Sequence, residues 1–184
     1  MVVNSTYHSY WGIRAKVRAL SLDLTEKFAR EATPDAAPAA STLFPVPKIE
    51  RPSVTHFLRL ALDDSAGHAV SRNFYWLSTK PIASDWDKST GHYTPIGPYA
   101  DFTALSSLPC VRPETSGTSR TEGRDEVSRA TLKNPRSSLA FFVHLHTRKG
   151  KDGEDVRPIY WQDNYVSLLP CEMREITARH AAPI

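Results

Sequence analysis

The sequence predicts an all-β fold, a sandwich or barrel of short strands. Apolar and polar residues alternate with a period of two in many segments, and helical periodicity is almost absent. Proline and glycine mark the connections, with 14 prolines and 8 glycines in 184 residues. The hydrophobic content of 40% is sufficient for a packed core.

Three segments in the first half of the chain have strand character. Residues 13–19 alternate apolar side chains with three basic ones, which is typical of a half-buried strand. Residues 54–62 and 70–78 are two further strands, and the Asp-Asp-Ser-Ala-Gly sequence between them predicts a hairpin turn. On the first of these, Val54, Leu58, Leu60 and Leu62 share one face.

Three consecutive aromatic residues, Phe74, Tyr75 and Trp76, lie in the strand at 70–78. They either form part of a buried strand or offer a stacking face for a flat ligand. Strand alternation favours the first interpretation, with Phe74 and Trp76 packed inward and Tyr75 nearer the surface.

The second half of the chain predicts at least five more strands. The clearest is 139–147, with Leu139, Phe141, Val143 and Leu145 on one face and Phe142, His144 and His146 on the other. The remaining predicted strands are 127–132, 156–161, 164–170 and 174–179. Pro158 lies inside the predicted strand at 156–161, which indicates an edge position or a bulge.

Two proline-rich stretches, 31–53 and 79–113, are predicted loops with five prolines each. We place a domain boundary at the second stretch, at about residue 80. This gives two predicted domains, 1–80 and 81–184.

The composition argues against two classes of partner. The 23 basic residues are nearly balanced by 20 acidic ones, and the densest basic run, 148–157, is interspersed with acids. Nucleic-acid binding usually requires a clustered basic face, so we predict no nucleic-acid partner. No run of about 18 apolar residues occurs, so we predict no membrane span.

Two cysteines, Cys110 and Cys171, have no metal-binding spacing. They are either two separate buried thiols or one disulfide closing a loop of about 60 residues, worth roughly 4 kcal/mol. The N-terminal residues lack a signal-peptide pattern. This favours free thiols, because disulfides follow the redox compartment.

The sequence offers little that could carry a reaction. His144 and His146 have a spacing that can hold a metal ion, but no third ligand is evident. Glycoside hydrolysis needs two facing carboxyl groups, and most acids here occur in turns, where aspartate is favoured for local hydrogen bonds. There is no Gly-x-Ser-x-Gly elbow and no glycine-rich phosphate loop, so we predict no cofactor. The acids considered are Asp63, Asp64, Asp85, Asp87, Asp101, Glu154, Asp155 and Asp163.

Exposed aromatic residues are the strongest indication of a ligand. Trp161 precedes a polar Gln-Asp-Asn turn, so its ring is predicted to be partly exposed. Together with Asp163 and Tyr165 it forms a candidate carbohydrate-binding site, in which acids beside an aromatic face would suit a cationic amino sugar. A sequon, Asn-Ser-Thr at 4–6, matters only if the chain is secreted.

Several segments together resemble the C-terminal region of the exo-β-D-glucosaminidases of glycoside hydrolase family two. They are SRNFYWLSTKP, DWDKST, YADFTALSSLP, LKNPRSSLAFFVHLHTRKGKDGEDVRPIYWQDNYVSLLP and REITAR, in that order. VVNSTY near the N-terminus is similar to the start of an immunoglobulin-like (Ig-like) domain in the same family. The resemblance extends over most of the chain, from residue 2 to about 180.

The resemblance implies two tandem Ig-like β-sandwich domains, truncated at both ends, of which the first is incomplete. It also implies a catalytic TIM barrel as the partner in the full-length enzyme, and chitosan or glucosamine oligomers as its substrate. Full-length members are expected to be extracellular. Because this chain shows no signal-peptide pattern, no location follows for it.

Three departures from the family pattern bear on function. No Asn-Glu pair, the family's acid/base signature, occurs in this chain, so no catalytic residue can be carried over. Cys171 replaces the usual glycine after proline, at a turn position that needs positive φ. Gly91 and His92 replace common aromatics, which removes one candidate sugar platform.

The resulting prediction is a non-catalytic accessory region of a glycoside hydrolase. One alternative is a stand-alone carbohydrate-binding module. Another is a separate β-sandwich hydrolase, which is less favoured because most of the acids occur in turns.

Overall fold

The computed structural model describes residues 1–44, 46, 49–50, 52–150 and 153–182. Parts of the predicted loop at 31–53 and of the turn at 150–153 therefore lie outside the described residues. The described part is almost entirely β, as the sequence predicts, with twelve strands and two short 3₁₀ helices. The chain divides into two compact units, Met1–Ser107 and Leu108–Ile184.

The first unit contains a four-stranded antiparallel sheet in the order β3-β2-β5-β6. A second, two-stranded sheet pairs β1 with β4. The predicted strand at 13–19 and the predicted hairpin are confirmed as β2 and as β5 with β6. The strand bounds are β1 Val2–Asn4, β2 Arg14–Leu20, β3 Glu26–Ala32, β4 Ala40–Thr42, β5 Thr55–Asp63 and β6 Ala69–Ser78.

The core of the first unit forms where the apolar residues of β2 and β5 meet across the sheet. Ala15 pairs with Leu62 and Val17 with Leu60, so these side chains share one face. Val2 and Phe44 pack against them from outside this sheet. Leu58, Leu60 and Leu62 thus share a face as predicted, whereas Val54 precedes the strand and is exposed.

The three aromatic residues of β6 divide between the two faces of the sheet. Phe74 and Trp76 are half-buried on the side of Phe57, and the ring centroids of Phe57 and Phe74 are 5.1 Å apart. Tyr75 pairs with Leu58 on the opposite side and is 45% exposed. The predicted order of burial is confirmed, but Phe74 and Trp76 face away from the cluster around Ala15 and Val17.

The proline-rich segment after β6 belongs to the first unit. Thr55 donates a hydrogen bond from Oγ1 to the carbonyl of Asp101 at 2.8 Å. The Asp101 backbone nitrogen donates to Ser78 Oγ at 3.0 Å. The compact units divide after Ser107, because prolines mark irregular backbone here without loss of contact. The domain boundary at about residue 80 stays a prediction. The two 3₁₀ helices, Trp86–Lys88 and Thr103–Ser107, lie in this segment.

The second unit has a four-stranded antiparallel sheet in the order β10-β12-β8-β7, and a two-stranded sheet of β11 and β9. Its core gathers Leu132, Ala140, Val166, Leu168 and Ile176. The strand bounds are β7 Glu114–Glu122, β8 Asp125–Lys133, β9 Ala140–Val143, β10 Tyr160–Trp161, β11 Val166–Leu168 and β12 Met173–Ala181.

The predicted strand at 139–147 is shorter in the structure, because β9 ends at Val143. Phe142 has a positive φ of 56°, which breaks the alternation, and the register with β11 shifts at this point. Beyond the strand, the Asn164 side chain accepts a hydrogen bond from the Leu145 nitrogen and donates one to its carbonyl, at 2.8 and 2.9 Å. The side-chain amide of Asn164 thus makes the two hydrogen bonds that a neighbouring strand would otherwise make with Leu145.

The sequence predicts only one of the two edge strands of this sheet. β10 is two residues long and lies at the sheet edge, in agreement with the edge position that Pro158 indicates. β7, at the other edge, was not predicted. Its sequence ETSGTSRTE is polar and almost fully exposed, so it lacks the apolar alternation that identifies a half-buried strand.

Candidate functional site

An open cleft of about 490 Å³ lies in the second unit, and we take it as the candidate site. β7, β8 and Trp161 of β10, all from one sheet, line it together with residues 144–148. The register that pairs Gly117 with Ala130 and Ser119 with Ser128 puts these four positions on the same face of the sheet as Leu132. The cleft is thus an open extension of the core that carries hydroxyl and imidazole side chains.

Trp161 forms the aromatic wall of the cleft. Its backbone pairs with Ala178 of β12, and its ring packs against the core cluster of this unit while lining the cavity. It is half-buried, which agrees with the partly exposed ring expected from the sequence. The neighbouring Tyr160 is 71% exposed and, by strand alternation, faces the opposite side.

Hydroxyl and imidazole groups supply the polar lining. Ser119 and Ser128 share a hydrogen bond of 2.8 Å between their Oγ atoms. The rings of His144 and His146 are 5.8 Å apart and both line the cleft. Hydroxyl and imidazole groups can each donate or accept hydrogen bonds, as recognition of sugar hydroxyls requires.

Tyr165 reaches the cleft indirectly, through a stack of rings. Its ring lies parallel to that of His144, with centroids 4.6 Å apart and an interplanar angle of 4°. Phe142 contacts the same tyrosine at 5.0 Å. Both Phe142 and Tyr165 are nearly half exposed and have positive φ, 56° and 53°. Non-glycine residues rarely adopt this conformation, and it concentrates at ligand sites.

Asp163 has a structural partner. Its Oδ2 accepts a hydrogen bond from Arg174 Nη2 at 2.7 Å, and its Oδ1 accepts one from the Asn164 backbone nitrogen at 2.8 Å. Its charge is therefore matched by Arg174. Among the three residues proposed from sequence, Trp161 lines the cleft, Tyr165 stacks on His144 of the same cleft, and Asp163 pairs with Arg174. Sugar binding by this set stays a prediction.

The other carboxylates considered from sequence are mostly held in local contacts. Asp63 pairs with Arg72, Asp85 with Lys88 at 2.7 Å, and Asp101 with Lys80 at 2.7 Å. Asp64 accepts a hydrogen bond from the backbone nitrogen of His68 at 2.8 Å, which lowers the pKa of this carboxyl. These contacts fit the turn-stabilising role that the sequence indicates.

Metal binding gains no further support. Among the described residues, no group of three or more histidine, cysteine, aspartate or glutamate side chains is arranged to hold an ion.

Cys110 and Cys171 are both free thiols and both exposed, so the interpretation as buried thiols is wrong. Cys171 has a φ of 62°, the positive value expected for the glycine it replaces. Across the described ranges, no helix has the length and apolar character to span a bilayer.

Sequence reasoning overlooked two buried asparagines, Asn4 and Asn134. The Asn4 Nδ2 donates to the carbonyls of His8, Ala36 and Ala37 at 2.7, 3.1 and 2.9 Å. The Asn134 Nδ2 donates to those of Ser138 and Leu168 at 2.8 and 3.0 Å. The only sequence signals are the turn residues that follow each asparagine. The amide of the predicted sequon is thus fully used inside the fold.

The fold and cleft together define an all-β protein of sandwich type with an aromatic-lined open groove. The chain belongs to the Exo-beta-D-glucosaminidase Ig-fold domain family, whose sequence model matches residues 92–183. This result confirms the family resemblance and the Ig-like fold. The match concerns one Ig-fold domain, so a tandem of two such domains stays a prediction.

Longer enzymes match nearly the whole chain. The exo-beta-D-glucosaminidase of Streptomyces avermitilis is 38% identical over 98% of this chain, which covers 21% of that protein. The Amycolatopsis orientalis enzyme of the same name is 34% identical over 98% of this chain, and 18% of that protein is covered. The crystal structure of Amycolatopsis orientalis exo-chitosanase CsxA superposes with a TM-score of 0.87 and 32% identity, covering 98% of this chain and 22% of that one. The chain thus spans about a fifth of these relatives.

Proposed function

We propose that this chain is a non-catalytic Ig-fold accessory region of a family-two glycoside hydrolase. The full enzyme would hydrolyse chitosan or glucosamine oligomers in a catalytic TIM barrel outside the matched region. The observation that carries this proposal is the coverage: nearly all of the chain corresponds to only a fifth of exo-beta-D-glucosaminidases.

The arrangement of acids supports a role without chemistry. A glycosidase needs one carboxyl group that stays protonated to donate a proton, together with a second carboxylate facing it across the sugar. Here Asp63, Asp101 and Asp163 are engaged by Arg72, Lys80 and Arg174. For Asp101, the hydrogen bond from Lys80 lowers the pKa of the carboxyl, which is unsuited to a general acid.

The catalytic barrel of the parent enzyme is the proposed partner. In this arrangement the Ig-fold region stabilises the barrel and contributes no reacting group. The test is hydrolysis of chitosan oligomers by the purified chain. No glucosamine release above the buffer rate is expected. Turnover proportional to chain concentration, and lost in an Asp163→Asn or Asp101→Asn variant, would overturn the proposal.

A second function, binding of chito-oligosaccharides by a stand-alone module, is favoured by one observation. Trp161 lines an open cleft whose polar groups match those that recognise sugars, and Tyr165 lies next to it through His144. Calorimetric unfolding with and without millimolar chito-oligosaccharide tests this function, because a ligand that binds only the folded state raises the unfolding temperature. An unchanged unfolding temperature would contradict this second function, and the accessory role would be the only one of the two that remains.

A further inference from the structure

We infer that the cleft beside Trp161 binds a neutral saccharide in preference to cationic glucosamine. This inference rests on the second proposed function, carbohydrate binding, and names its site and ligand class. Three features carry it: an aromatic wall, paired hydroxyl groups, and a lining whose ionisable groups are all basic.

The aromatic wall is suited to the apolar face of a sugar ring. Trp161 is fixed on one side by the core cluster and by the pairing of its backbone with β12, so its orientation is set before any ligand arrives. A ring held in advance loses little conformational entropy on binding. On the same face of this sheet, Gly117 leaves β7 without a side chain, which opens space for a ligand.

The hydrogen-bonding groups of the cleft are placed to bind the hydroxyl groups of a saccharide. Ser119 and Ser128 bond each other at 2.8 Å, and a shared hydroxyl pair can still accept from or donate to a ligand. His144 is held by its stack on Tyr165, with 4.6 Å between centroids. His146 completes the lining on that side.

The charge of the lining selects against an amine. Among the described residues that line the cleft, the ionisable side chains on its face are Arg148, His144 and His146, and none is aspartate or glutamate. Arg129 lies between Ser128 and Ala130 on β8, so its side chain points to the opposite face of the sheet. Asp155, which is not part of this lining, lies 3.6 Å from Arg148. A protonated glucosamine would therefore meet no carboxylate in the lining and would lie near the guanidinium of Arg148. The acid expected to attract it, Asp163, is paired with Arg174.

The test is a calorimetric titration of the whole chain with two tetrasaccharides of equal length, one of N-acetylglucosamine and one of glucosamine. The neutral oligomer is expected to bind about tenfold more tightly at low salt, with a smaller ratio at high salt because exposed charges are screened. Equal affinity, or tighter binding of the cationic oligomer, would overturn the charge selection and leave carbohydrate binding standing.

Three variants locate the site. Trp161→Ala should abolish binding, but it removes a ring packed on the core and could unfold the unit. Gly117→Val is the second variant, since it fills the cleft while raising strand propensity. Tyr160→Ala, on the opposite side of β10, is the matched control and should bind as the unaltered chain does. Binding that survives Gly117→Val in a folded chain would place the site elsewhere. Binding of neither tetrasaccharide would overturn both the cleft and the second proposed function, while leaving the accessory role untouched.

Discussion

Lys80 and Asp101 form a salt bridge of 2.7 Å between Nζ and Oδ2, across 20 residues of proline-rich chain. The other oxygen of this carboxylate, Oδ1, accepts hydrogen bonds from the backbone nitrogen and the Oγ1 of Thr103, at 3.1 and 2.6 Å. Asp101 therefore holds the end of the proline-rich segment next to Lys80 in the first unit. It also accepts hydrogen bonds at the start of the 3₁₀ helix Thr103–Ser107.

The first prediction concerns the pH dependence of this closure. The hydrogen bond from Lys80, followed by those from Thr103, lowers the pKa of Asp101 well below its ordinary value. A lowered folded-state pKa contributes stability above the unfolded pKa of about 4, and this contribution is lost as pH falls through the folded pKa.

Asp101→Asn should therefore lower the unfolding temperature most above about pH 4, and its curve should approach that of the unaltered chain in stronger acid. Thermal unfolding followed at a series of pH values measures this difference. Asp87→Asn, at an exposed acid in the same segment, is the control and should have little effect. A constant difference at every pH would contradict the role assigned to the charge.

The second prediction concerns Cys171, which occupies the left-handed region at φ 62°. The turn closes with a hydrogen bond from the Glu172 nitrogen to the Leu169 carbonyl at 3.0 Å, so the conformation is imposed on the cysteine. Cys171→Gly should raise the free energy of unfolding by about 0.5–1 kcal/mol through relief of strain. Chemical denaturation measures it, and Cys110→Gly, which has no positive φ to relieve, should not stabilise. Equal effects of both substitutions would rule out strain as the cause.

The third prediction concerns Asn134, which is fully buried in the second unit. Its side chain bonds two carbonyls and accepts from the Arg136 nitrogen at 3.0 Å, while its backbone joins Glu172 and Cys171. Asn134→Ala should cost roughly 2–4 kcal/mol of unfolding free energy, because buried backbone carbonyls lose their partners. Asn73→Ala, at an exposed position on β6, is the size-matched control. A cost below that of the control would show that water replaces the amide without penalty.

The fourth prediction concerns the sequon at residues 4–6. Asn4 is 7% exposed, and its amide nitrogen donates to three carbonyls, so a glycan at Nδ2 is incompatible with the fold. In a eukaryotic secretory host, the folded fraction should carry no glycan at Asn4. His92→Asn completes a sequon with Thr94 in an exposed loop and should be glycosylated in the same host. Intact mass measurement separates the two sites, and a folded, glycosylated Asn4 would contradict the assigned contacts.

The regular part of the fold could be predicted from the sequence because period-two alternation is a local signal. Residues 13–19 and the hairpin at 54–78 were predicted in this way and form β2, β5 and β6. The break at Phe142 was not predictable, because the apolar pattern continues unchanged through a residue with positive φ. The polar edge strand β7 has no such pattern, and its pairing with β8 is a tertiary effect.

The candidate site was predictable only in part. The exposure of Trp161 followed from the polar turn after it. The pairing of Asp163 with Arg174 joins residues 11 apart on different elements, and the approach of Ser119 to His144 depends on how the two sheets of this unit pack. Neither relationship leaves a pattern in the sequence.

The central claim is that this Ig-fold region supports a catalytic barrel and performs no chemistry itself. The most direct test replaces the matching fifth of the Streptomyces avermitilis exo-beta-D-glucosaminidase with this chain, beside a variant with that fifth deleted. We predict that the deletion lowers the unfolding temperature and the rate of glucosamine release, and that the chimera restores both. A deletion variant as stable and as active as the intact enzyme would contradict the supporting role.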